Sequence, residues 1–76
     1  MIKTCLILGM VVAIQGERPR DIEQYGGVYS SMDFCLLTAA DWRRNEKNAK
    51  HVKHVWTVCA PEGTTGFKRC EKLNEK

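Results

Sequence analysis

Four cysteines and two histidines are the side chains with the widest chemical reach in this 76-residue sequence. The stretch KHVKHVWTVCAPEG, residues 50–63, gathers both histidines and one of the cysteines. His51 and His54 with Cys59 and Cys70 compose a two-histidine, two-cysteine set whose donor types suit tetrahedral zinc. The spacing argues against that use. Zinc knuckles place their cysteines about two to four residues apart, whereas ten residues separate Cys59 from Cys70. On a strand, positions 51 and 54 point to opposite faces, and only a helix running on to His54 would bring them to one. We therefore expect no metal and no cofactor, and read both histidines as surface or half-buried structural residues.

Covalent catalysis is no better supported. Neither a G-x-S-x-G elbow nor a phosphate-cradling glycine loop is present, and a Cys–His dyad such as Cys59 with His54 can be written for almost any chain holding both types. An activated thiolate also needs a pocket, which a chain of this length has little room to build. The expectation is a protein without enzymatic activity.

The remaining use for four cysteines is as staples. A single core in a chain this short rarely stabilises a fold unaided, and Cys5, Cys35, Cys59 and Cys70 permit two bridges in three connectivities. Chain geometry favours one pair. From Cys35 to the end of the helix expected below is about thirteen residues, roughly 20 Å at 1.5 Å each. Six strand residues from Lys53 to Cys59 return roughly 20 Å at 3.3 Å each, which brings Cys59 back beside Cys35. Cys5 and Cys70 are left near the chain ends, which commonly lie close together in a small domain. In a reducing compartment all four would instead stay thiols, with Cys35 and Cys59 serving as small buried hydrophobes.

The elements that position these residues follow from pattern. Thr4–Ile14 is rich in Val, Ile and Leu and ends at a cluster of Gly16, Pro19 and Asp21, which predicts a strand buried on both faces. Gly9 within it marks the close approach of a helix or a bulge. The competing reading of residues 1–13 is a cleaved signal peptide, although cleavage after Ala13 would discard Cys5. The run is too short for a membrane-spanning helix. QGERPRD, residues 15–21, is a turn, and a second strand follows over Ile22–Tyr29. Ser30 with Asp33 resembles a capping box and starts a helix over Ser31–Asn48, whose apolar stripe of Met32, Cys35, Leu36, Ala39 and Trp42 is expected in the core. A strand over Val52–Ala60 carries Val55 and Trp56 on opposite faces and stops at Pro61. PEGTTGFKR is expected as a loop or final hairpin, and residues 71–76 as a polar tail on a single domain of residues 1–70.

The charge balance is mild, +3 with 28% charged and 43% hydrophobic residues, which suits a globular chain rather than a dedicated nucleic-acid binder. Arg43, Lys47 and Lys50 can share a helix face and form a candidate patch for an anion or a protein partner. Glu46 interrupts the run, and the aromatic platforms expected for single strands are missing, because Trp42 and Trp56 are assigned to the core. Nucleic acid is therefore not the expected partner.

YSSMDFCLLTAADWRRN followed by HVWTVCAPEG resembles small cysteine-bearing accessory proteins of tailed bacteriophages, including phages of marine bacteria. The shared pattern is an apolar first strand, a hairpin, a Ser or Thr cap before a helix-start cysteine, and a late strand ending in Cys-x-Pro, here Ser30, Cys35, Cys59 and Pro61. Cys5, Cys70 and the longer tail depart from the simplest form. The resemblance implies a small accessory product, either a virion component in an oxidising exterior or a protein acting on a host factor, and it implies no activity.

The expected fold is α+β: two or three mostly antiparallel strands packed on one helix and stapled by disulfides. One helix covers one sheet face, so the other requires cover from a partner, the tail or a second copy. On that argument we expect a non-enzymatic phage structural or interaction protein, such as a capsid or tail accessory subunit, with a protein partner or homo-oligomer in a virion or extracellular setting. The alternatives are a secreted, disulfide-stabilised effector or inhibitor lacking residues 1–13, or residence in the host cytoplasm.

Overall fold

The computed structural model describes residues 2–75; Met1 and Lys76, the outermost residues of the expected domain and tail, lie outside the described residues. Its elements run β1 (Thr4–Val12), β2 (Arg20–Tyr29), α1 (Met32–Glu46), β3 (Val52–Pro61) and α2 (Thr65–Asn74). The three strands form one antiparallel sheet in the order β2-β1-β3, and α1 and α2 pack on its opposite faces. The α+β class, the antiparallel sheet and the disulfide staples agree with expectation; the second helix was not anticipated.

The most apolar strand takes the centre. β1 hydrogen-bonds on both edges, and Thr4, Cys5, Leu6 and Ile7 are fully buried. Because strand side chains alternate, β1 divides the core in two. Cys5 and Ile7 join Cys70, Tyr25, Trp56, Phe67 and Leu73 on the α2 side. Leu6 and Leu8 join Cys35, Ala39, Tyr29 and Cys59 on the α1 side. The register of β1 on β2 slips between Leu6 and Ile7, where Gly27 takes a φ of 109° and Gly26 lies so close to Leu6 that a Cβ would fall 2.7 Å from its Cγ. This bulge shifts the alternation of β2 by one residue, so Tyr25 meets the α2-side cluster and Tyr29, four residues on, the α1-side cluster.

α1 is capped by Ser31, one residue later than expected, its hydroxyl accepting from the Phe34 amide at 3.1 Å. The helix ends at Glu46. A turn through Lys50 and His51 leads into β3, with His51 in the left-handed region at φ 72° and its carbonyl accepting from the Ala13 amide.

α2 replaces the expected loop and polar tail. Thr64 caps it, its hydroxyl accepting from the Phe67 amide and donating to the Pro61 carbonyl. Phe67, Cys70 and Leu73, three residues apart, fall on one face of the helix and close over Cys5 and Ile7. Arg69 also forms an ion pair with Glu23 on β2. The face of the sheet that required cover is therefore covered by the chain's own carboxyl-terminal segment, one of the three covers expected, and this face gives no ground for a partner.

Candidate functional site

The cysteines are structural. Cys5 is bonded to Cys70 and Cys35 to Cys59, with Cα–Cα distances of 6.0 and 6.1 Å. Each bridge ties one helix to the sheet: Cys70 of α2 to the central strand, and Cys35 in the first turns of α1 to the end of β3. The Cys35–Cys59 pairing matches the sequence geometry, Cys5–Cys70 joins the two cysteines left near the chain ends, and two bridges in so small a chain fit an oxidising environment. Cys59 and Cys70 consequently belong to different bridges on opposite sheet faces, so they do not converge with His51 and His54. Among the described residues no group of three or more His, Cys, Asp or Glu side chains is placed to hold a metal ion.

The informative surface is α1. Cys35 is held by its bridge, and with Ala39 it forms the fully buried line of the helix. Trp42 and Glu46 continue that line at intervals of three and four residues and are half-buried. Fixing Cys35 against β3 turns Leu36, about 100° further round the helix, off the sheet. Leu36, expected in the core, is accordingly exposed; Met32, also expected there, is exposed at the first residue of the helix. Phe34 at 58%, Leu36 at 51% and Leu37 at 72% are among the most exposed large apolar residues of the chain. Phe34 gains partial shelter from the Tyr29 ring, centroid to centroid 5.5 Å. Small residues, cysteine and alanine, make the close contact with the sheet while the large aliphatics face water.

The second half of α1 carries the cations. An open groove of about 390 Å³ is lined by Ala40, Arg43, Arg44, Lys47 and Val55. Arg43 is half-buried and donates to the Thr57 hydroxyl on β3, while Arg44 pairs with Asp41 at 3.2 Å on the outer surface. Of the three residues expected to form a basic patch, Arg43 and Lys47 share this groove. Lys50 does not lie on the helix face with them, because α1 ends at Glu46 and Lys50 sits in the following turn. Arg44 takes part instead. Its spacing of four from Ala40 and three from Lys47 places it beside the same groove.

A second groove of about 350 Å³ lies where α2 meets the sheet, lined by Ile7, Val58, Thr65, Gly66 and Arg69. It is mainly the seam of the α2 contact, since a Cβ on Gly66 would come within 3.1 Å of Ala60. No helix of the described residues is long and apolar enough to cross a membrane. The chain matches no family model, no curated protein and no solved structure.

Proposed function

We propose that this is a non-enzymatic interaction protein that presents α1 to a protein partner, and that it serves as a virion accessory subunit of a tailed phage. The phage setting rests on the resemblance carried by Ser30, Cys35, Cys59 and Pro61. The observation that carries the interaction reading is the placement of Phe34, Leu36 and Leu37 on the outside of a disulfide-fixed helix. A domain with little apolar material gains stability by burying its large side chains, and a cluster of them left in water marks an interaction site. The Cys35–Cys59 bridge holds the helix in place before any partner arrives, which lowers the ordering cost of association. The secreted effector lacking residues 1–13 has less support, because its maturation would remove β1, the centre of the sheet, together with Cys5.

Leu37→Lys tests this reading, since Leu37 is outside the buried stripe and the fold tolerates the change. The protein with intact bridges should co-sediment with purified particles from the producing culture, and the variant should bind about tenfold less, as expected for a residue at an interface centre. Equal binding by the variant would place the interface elsewhere, and no association of either protein would sink the virion reading.

A further inference from the structure

Resting on the protein-partner reading of α1, we infer that the partner is an acidic protein surface with apolar side chains among its carboxylates, seated along Leu36, Leu37, Ala40, Arg43, Arg44 and Lys47. Leu36, Ala40, Arg43 and Lys47 recur at intervals of four, three and four residues and so form one continuous line on α1. Leu37 and Arg44 stand beside it at a spacing of seven. The exposed leucines occupy the amino-terminal half of this line and the cations the other half, running into the groove floored by Val55 and Ala40. A single occupant can therefore meet both halves.

Charge complementarity selects its chemistry. Seven lysines and arginines against four carboxylates lie within residues 13–21 and 41–54, so the whole formal charge of +3 is carried by these two segments. They meet at one end of the sheet, where Val12 pairs with both Arg20 and Val52. Arg43 is held in place by Thr57, which orients its charge before binding. Opposite charge across such a surface steers encounter and selects among partners.

Two other occupants fit less well. A second copy docked antiparallel about Ala40 would set Lys47 against Asp33, but Arg43 and Arg44 against Leu37 and Leu36; a parallel pair would set cation on cation. For nucleic acid the line offers leucines where bases need aromatic platforms, and Asp41, paired with Arg44, adds a carboxylate that a phosphate backbone would have to approach.

The experiment titrates the isotope-labelled, oxidised full chain with four probes: a helix-forming peptide of leucine and glutamate, its leucine–glutamine counterpart, polyglutamate and an oligo-dT strand. The leucine–glutamate peptide should shift the amides of residues 36–47 and bind about tenfold more tightly than polyglutamate or the glutamine peptide, weakening as salt rises. Arg44→Glu with Lys47→Glu, both exposed positions, should reduce that binding about tenfold or more. Equal binding of the glutamine peptide at Leu36 and Leu37 would overturn the acidic partner and leave the interaction reading standing. Tighter binding of oligo-dT would reassign the cations to phosphate. Failure of every peptide to perturb residues 36–47 would overturn this inference and count against the α1 reading as well.

Discussion

Replacing Cys5 and Cys70 together by alanine should lower the unfolding free energy by about 4 kcal/mol, the loop-closure value for a bridge that joins residues 65 apart in sequence. The matching replacement of Cys35 and Cys59, 24 residues apart, should cost about 3.5 kcal/mol on the same relation. Small domains hold only about 5 to 15 kcal/mol in total, so removal of both bridges should leave the chain largely unfolded. The Cys5 and Cys70 variant has a further signature. Without its anchor α2 can leave the sheet, exposing Ile7 and Trp56, so the variant should bind more of a hydrophobic dye than the wild type does. Urea unfolding of the oxidised proteins measures both effects. A Cys5 and Cys70 variant with the wild-type midpoint would mean that α2 is not clamped as described.

Gly9→Ala should destabilise the protein by about 2 to 3 kcal/mol, more than a change of one methyl group usually costs, because of what already fills the space. Gly9 is paired with Trp56 across the β1–β3 ladder, and the indole lies over it so closely that a Cβ would fall 2.1 Å from Cε2 and 2.2 Å from Cζ2. The ring must move, and it packs on the core cluster of Cys5, Ile7 and Cys70. Combining Gly9→Ala with Trp56→Leu should cost less than the sum of the two single changes, since the leucine vacates the site of the clash. Urea midpoints of the four proteins give the coupling. A Gly9→Ala protein as stable as the wild type, or strict additivity of the pair, would contradict the close approach.

Much of this fold was legible in the residues, and the misses have physical causes. β1 is recognisable because a strand buried on both faces reads as a continuous Val, Ile and Leu run; Gly9 within it signals a close approach, although the approach comes from the Trp56 indole of β3 rather than from a helix. The Cys35–Cys59 bridge followed from helix and strand rises alone. α2 is hard to read from sequence because its polar residues, Gly66 within it and Gly63 just before it outweigh a sparse apolar signal; Thr64 as cap and Phe67, Cys70 and Leu73 at intervals of three are that signal. A ten-residue helix is marginal on its own and depends here on docking and on Cys70. The buried stripe of α1 is narrower than its apolar residues suggest, because apolar type alone does not mean core. Cys35 and Ala39 sit against the sheet, which turns Leu36 outward, while Met32 is exposed at the first residue of the helix. The candidate surface follows from that rotation, which no periodicity of α1 alone could reveal. Its basic half was recognisable in part: Arg43 and Lys47 lie together, whereas Lys50 is separated from them by the early end of the helix.

The central claim is that the chain covers both faces of its own sheet, leaving α1 as the surface for a partner. Mapping the linked peptides of the unreduced protein tests it most directly. Cleavage after lysine and arginine places each cysteine in a different peptide, residues 4–20, 21–43, 54–68 and 70–72. The expected result is the first peptide joined to the last and the two middle peptides joined to each other, because only that pattern seats α2 over Cys5 and α1 over Cys59. Cys5 joined to Cys35 or Cys59, or four free thiols, would contradict it and return the second sheet face to the list of surfaces that require a partner.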